Sequence, residues 1–176
     1  FDRAIIASLG TGTALVYSEN GKAPEYLGGT GVGGGTLTGL SRKMIGVDTI
    51  EHIEKLALDG DLGNIDLRIK DIAQNRSYHG INENLTAANF GKVSDMATNA
   101  DLALGISNMV AEIIAMLAIF AARSYKIKDI VLIGNLTTIA PIRNVFESLG
   151  DSFDVRFIIP ENAQFGTVIG AALHKE

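Results

Sequence analysis

The sequence predicts an α/β lobe built on one five-stranded mixed sheet, three antiparallel strands followed by parallel β-α units, with helices flanking it. Three observations predict this. Short apolar runs separated by glycine-rich turns open the chain at 4–9, 13–18 and about 25–27. A long apolar stretch, Leu102–Ala122, follows with helical spacing. Strand-like and helix-like segments then alternate to the end, the pattern of parallel β-α-β units.

Taken in order, "AIIASL" (4–9) reads as a buried strand and "TALVYS" (13–18) as its hairpin partner, with Gly10, Thr11 and Gly12 forming the tight connection. "ENGK" (19–22) is a second turn, because Asn20-Gly21 favours positive φ. A short third strand, Glu25–Leu27, leads into "GGTGVGGGTLTGL" (28–40), with seven glycines in thirteen positions and helical sequence from about Thr36. "DTIEHIEKLAL" (48–58) predicts a helix capped by Asp48, with Glu51 completing a capping box.

"DGDLGN" (59–64) is a turn, and "IDLRIKDI" (65–72) fits a strand by alternation and a helix by charge pattern. "QNRSYHGINEN" (74–84) reads as a polar loop. "LTAANFGKVSDMA" (85–97) predicts a helix from near Thr86, ahead of the long helix that reaches about Ser124. "DIVLIG" (129–134) is a buried strand, 140–149 a helix with Pro141 in its first turn, and "VRFIIP" (155–160) a strand. "FGTVIGAALHK" (165–175) is a closing helix whose Gly166, Gly170 and Ala171 permit close packing. This β-β-β-α-β-α-β-α order is that of the ribonuclease-H-like half found in actin, sugar kinases and Hsp70, whose sheet has five strands. Residues 1–176 are expected to form one such lobe. The chain opens Phe1-Asp2-Arg3 and enters a strand almost at once, so the lobe is expected to be the later part of a longer protein.

A hydrophobic fraction of 47% over 176 residues supports a real core. A net charge of -5 without a basic run argues against a nucleic-acid surface. The absence of cysteine excludes disulfides, thiolate zinc sites and iron–sulfur clusters; with no visible signal peptide, it suits a cytoplasmic protein. Leu102–Ala122 is long enough to cross a bilayer, but Glu112 in its middle would be expensive there. Its residues also divide into two stripes. Ile106, Met109, Val110, Ile113, Leu117 and Phe120 form one; Ser107, Ala111, Ala115, Ala118 and Ala122 form one of small side chains. The expectation is a buried helix between a sheet and another helix, which a second subunit could supply, and not a membrane span.

The two glycine turns carry the chemical signal. Residues without Cβ let backbone N–H groups approach an anion, and the second turn opens a helix, whose N-terminus favours phosphate. Thr11, Thr13 and Thr36 add hydroxyls for phosphate oxygens or for a water on magnesium. Glycine in a hairpin is often only a turn residue, but a run of this length implies a special backbone path. No lysine follows Gly35, so the P-loop pattern fails. A G-x-G-x-x-G spacing exists at Gly29, Gly31 and Gly34, but Glu25-Tyr26-Leu27 makes a poor core strand before it, so the match is accidental. His52, His79 and His174 are isolated, and Asp59, Asp61 and Asp66 read as solvated residues near a turn; no metal site is expected.

"ASLGTGT", "LGGTGVGGGTLTGL", "LTAANFG" and "IVLIGN…IR…P.NAQFGTVIGAAL" together resemble type II pantothenate kinases, in order along nearly the whole chain and most closely the bacterial members. These belong to the actin-like kinase superfamily. The resemblance implies phosphorylation of the 4′-hydroxyl of pantothenate by MgATP, the first step of coenzyme A synthesis, in a homodimer whose best contact here is the Leu102–Ala122 helix. It implies nucleotide binding by three segments. Gly10, Thr11, Gly12 and Thr13 match the β/γ-phosphate turn; Gly34, Gly35, Thr36, Leu37 and Thr38 match the glycine loop and helix start; Gly134 and Asn135 match the adenosine-side turn. Lysine is not required there, because backbone amides, helix dipole and magnesium share the charge.

Two features depart from the family. The aspartate–glycine–glycine–threonine turn and the catalytic glutamate of its first half have no counterpart in these residues, so no catalytic base is expected in this chain. Tyr26 stands where the family commonly has an arginine for the pantothenate carboxylate; with Thr11 it is the substrate-contact candidate. The substrate therefore remains open between pantothenate and another pantetheine-like or hydroxylated metabolite, and a noncatalytic ATP-binding module is a third reading. A coenzyme A dehydratase activator would need cluster-binding cysteines.

Overall fold

The computed structural model describes residues 1–73 and 82–173. The chain divides into two compact units, one of Phe1–Leu37 with Val110–Glu176 and one of Thr38–Met109.

The first unit is organised by a five-stranded sheet. Its strands are β1 (Arg3–Leu9), β2 (Thr13–Glu19), β3 (Glu25–Thr30), β6 (Asp129–Ile133) and β7 (Arg156–Ile158), in the order β3-β2-β1-β6-β7. β1 and β3 run antiparallel to β2, while β6 runs parallel to β1 and to β7. The five strands and the mixed order match the sequence expectation. Register explains the burial. Ile5 pairs with Ile130 and Ala7 with Leu132, and all four are fully buried on one face. Over this face, α5 (Ala140–Phe153) buries Ile142, Phe146 and Leu149, and Phe146 meets Phe157 of β7 at 5.0 Å between ring centroids. Pro141 occupies its first turn, as the sequence predicts.

The long helix α4 (Asn99–Ser124) has the length and apolarity to cross a membrane, but over half of its most apolar window is covered by the protein itself. The stripe of small residues is covered throughout: Ser107, Ala111, Ala115, Ala118 and Ala122 are fully buried, whereas the other stripe is buried at Ile106 and Val110 and exposed at Leu117 and Phe120. Just past its end, Tyr125 stacks on Tyr17 of β2. The closing helix α6 (Gly166–Leu173) starts with Gly166 pressed against Ile133, but Gly170 faces open space and Val168 and Leu173 are exposed. The close packing expected along this helix is thus confined to its first residue.

In the second unit, Thr49 and not Asp48 stands at the N-cap position of α2 (Ile50–Leu58), and its side chain makes no capping bond. Asp48 instead pairs with Arg42 at 3.1 Å near the end of α1 (Gly34–Ile45), which removes its carboxylate from the helix start. The ambiguous stretch 65–72 uses both of its tendencies: β4 is Leu67–Arg68 and α3 is Ile69–Ala73. The helix expected from Thr86 does not form. Thr86–Ala88 is β5, paired with β4, and Phe90 takes a left-handed φ of 59° that helix cannot continue through. The helix start is set later, where Thr98 and Asp101 form the capping box: Asp101 N donates to Thr98 Oγ1 at 3.2 Å and Thr98 N to Asp101 Oδ2 at 3.0 Å.

Asp66 also differs from expectation. It is fully buried, accepting hydrogen bonds from Phe90 N and from Asn108 Nδ2, both at 2.8 Å. Burial raises its carboxyl above the ordinary range, with those bonds acting in the opposite direction.

Candidate functional site

Parallel pairing of Ser8 with Ile133 brings the carboxyl ends of β1 and β6 side by side. In an open α/β sheet that edge is where ligands bind. Three turns leave it: Gly10–Gly12 after β1, Gly31–Gly33 between β3 and α1, and the short 3-10 turn Asn135–Thr138 that follows Gly134. A methyl group placed on Gly34 would stand 3.1 Å from Gly10 O and 3.7 Å from Leu136 Cδ2, so the three turns meet at one point.

The glycine cluster does more than one job. Gly28, Gly29 and Thr30 belong to β3, which is three residues longer than the sequence suggests. Gly29 lies so close to β2 that a Cβ would stand 2.1 Å from Thr13 O. At Gly33 a Cβ would stand 2.7 Å from both Gly12 Cα and Thr11 O. Both approaches are backbone against backbone, so no side-chain rearrangement could make room.

The turns are also bonded to each other. Gly34 N donates to Gly10 O at 2.8 Å and Gly35 N to Thr11 O at 2.9 Å. The first two amides of the helix start thus close onto the hairpin and hold it in place. The helix starts at Gly34, two residues before the expected Thr36, and Thr36 Oγ1 donates to Gly31 O at 3.2 Å and accepts from Gly33 N at 3.4 Å. Thr13 is buried, and its Oγ1 donates to Val32 O at 2.9 Å. Leu37 is fully buried and anchors α1 in the core; Thr38 is the next residue of that helix.

Of the predicted hydroxyls, then, Thr11's is the one left outward: the residue is exposed, and its side chain makes no hydrogen bond among the described residues. Gly10, Gly31, Gly35 and Asn135 are exposed beside it, and Gly12 is half-buried. Gly134 donates its amide to Ala163 O at 2.8 Å, and Thr137 donates its hydroxyl to Gly134 O at 2.7 Å, fixing the start of the third turn. The segments 10–13, 28–41 and 134–142 contain no charged side chain. An anion here would be met by dipoles and hydroxyls.

Tyr26 is not part of this cluster. It lies on the edge strand opposite Val16, 69% exposed, whereas the turn begins after Thr30, opposite Thr13. Thr30 lies four residues further along β3, about 13 Å away. His52 is exposed, and Asp59 and Asp61 are exposed as expected; His79 and His174 lie outside the described residues. Among the described residues no group of three or more His, Asp or Glu could hold a metal ion. The sequence reading missed Thr30, whose Oγ1 accepts from Val32 N at 3.2 Å. A threonine two residues before the amide it caps is the recognisable signal of such a turn.

The architecture is that of the actin-like ATPases. A Bacillus thuringiensis ParM hybrid protein with ADP matches 94% of this chain and 22% of its own length with a TM-score of 0.52, at 14% sequence identity. The Fumble family model matches residues 4–149, and the chain belongs to that family. A type II pantothenate kinase of Oceanobacillus iheyensis is 34% identical over 172 residues, covering 96% of this chain and 63% of its own. Those of Staphylococcus epidermidis (34%, covering 95% and 64%) and Bacillus cereus (31%, covering 97% and 63%) align comparably. The chain thus spans less than two thirds of the length of these relatives.

Proposed function

We propose that this chain is the nucleotide-binding lobe of an ATP-dependent pantothenate kinase, making 4′-phosphopantothenate in the first step of coenzyme A synthesis. The observation that carries this reading is the meeting of three uncharged turns at the carboxyl edge of β1 and β6, in a member of the Fumble family whose relatives are named type II pantothenate kinases.

In this reading the exposed Thr11 hydroxyl and the Gly10–Gly12 backbone meet the β- and γ-phosphates. Gly134 and Asn135 lie on the adenosine side. Thr13, Gly34, Gly35, Thr36 and Leu37 act one step back, holding the turns together. A magnesium ion brought with the nucleotide would neutralise charge developing on the transferred phosphoryl group. The base for the pantothenate hydroxyl and the remaining phosphate contacts belong to an N-terminal segment that completes the enzyme.

The working protein is proposed to be a cytoplasmic homodimer joined through the Leu102–Ala122 helix, without nucleic-acid or membrane partners. Support for the contact comes from the exposed Leu117 and Phe120. Light scattering is expected to give a dimer, with Phe120→Glu shifting it to monomer.

The decisive experiment joins this chain to the segment preceding it in its longer relatives and measures magnesium-dependent ATP turnover. Stimulation by pantothenate supports the reading. The placement of Tyr26 on an exposed edge strand favours a second reading, a kinase for another hydroxylated metabolite; stimulation only by another alcohol selects it. Tight ATP binding with no turnover on any alcohol selects a noncatalytic module.

A further inference from the structure

We propose that Thr13 is a positioning residue for this site: its buried hydroxyl fixes the shape of the Gly31–Gly35 turn and does not touch the ligand. The ligand half of this inference rests on the nucleotide reading above.

A turn with this many glycines has little shape of its own, because glycine backbone is permissive. Polar side chains around it supply the shape. Thr30 Oγ1 accepts from Val32 N, and Thr36 Oγ1 donates to Gly31 O and accepts from Gly33 N. Those threonines sit within five residues of their partners and travel with the turn. Thr13 differs: it belongs to β2, pairs with Thr30 across the sheet, and reaches Val32 O across 19 residues. It thereby ties the middle of the turn to the rigid sheet. The Thr13 residue is only 6% exposed, which limits competition from water for its bond. The bond adds a side-chain anchor to the two backbone bonds that join the same turns.

The test compares Thr13→Val, which keeps volume and removes the donor, with Thr13→Ser, which keeps the donor. Two readouts are used, amide hydrogen exchange and MgADP binding by calorimetry. In Thr13→Val, exchange across 31–35 is expected to accelerate and MgADP affinity to fall, each about tenfold, while exchange in β6 and α5 stays unchanged. Thr13→Ser is expected to restore both to within about threefold of the parent. Where the valine variant does not fold, Thr13→Cys, a weak donor of similar size, replaces it and is expected to show faster exchange and weaker MgADP binding than Thr13→Ser; equality of the two overturns the inference. Unchanged exchange in Thr13→Val overturns the inference. So does a serine variant as impaired as the valine one, because packing of the methyl group would then be the cause. Failure of the unsubstituted protein to bind MgADP sinks the nucleotide reading instead, and the exchange comparison still decides whether Thr13 holds the turn.

Discussion

Gly34 donates its backbone amide to the carbonyl of Gly10 at 2.8 Å, and this bond makes the hairpin and the helix start one structural piece. The consequence is a division of labour among residues of one motif. Some glycines exist to let two backbones touch, and the surfaces left facing outward are those of Gly10, Thr11, Gly31 and Gly35.

Gly33→Ala tests the close approach. The added methyl would meet Gly12 Cα and Thr11 O at 2.7 Å, both backbone atoms. Overpacking of this kind costs about 1–3 kcal/mol. Urea unfolding of the first unit is expected to show that loss, with nucleotide affinity falling as well. Gly31→Ala, with open space around its Cβ, is expected to leave stability nearly unchanged.

Thr11→Val tests the outward hydroxyl. The residue is exposed and its side chain supports nothing in the described fold, so the melting temperature is expected to stay constant. Affinity for MgATP is expected to drop by about 1.5–3 kcal/mol, roughly tenfold to a hundredfold, as for loss of a hydrogen bond to a charged group. Calorimetry gives the number; an unchanged affinity removes Thr11 from the site.

Much of the fold was legible because its signals are local. The runs at 4–9 and 13–18, the turn between them and the 129–133 strand follow from apolar patterning and glycine placement alone. Three features were not legible, each because a distant partner decides it. Asp48 looks like a cap until Arg42 takes its carboxylate. Asp66 looks solvated until Asn108, 42 residues away, folds over it. The stretch from Thr86 looks helical until β4 recruits it as a strand and Phe90 turns left-handed. In the site, residue composition located the turns but could not reveal that the amides of Gly34 and Gly35 are already engaged, since the acceptors lie in another turn.

Asp101 sets an acid limit on the second unit. Its carboxylate accepts from Asp61 N, Asn64 Nδ2 and Thr98 N, and the Asp61 amide is the largest cause of its lowered pKa, followed by that of Thr98. A depressed folded-state pKa stabilises the fold above the unfolded value and the gain disappears as pH falls through the folded one. Asp101→Asn is therefore expected to lower stability at neutral pH and to flatten its decline below the ordinary carboxylate range. Asp66, with a raised pKa, works in the opposite sense: stability is lost as pH rises through the folded value. Thermal melts from pH 3 to 7 separate the two.

Phe146→Ala tests the core of the first unit. The side chain is 1% exposed and packs on Phe157, so its removal is expected to cost about 3–5 kcal/mol in chemical denaturation. Phe120→Ala, at 55% exposure, is expected to cost under about 1 kcal/mol in the isolated chain.

The most direct measurement is a crystal structure with MgADP bound. The account predicts the β-phosphate within about 3 Å of the Thr11 hydroxyl and of hairpin amides, the adenosine beside Gly134 and Asn135, and Thr13 still bonded to Val32. A diphosphate bound elsewhere, with the Gly10–Gly12 turn facing away from it, contradicts the account.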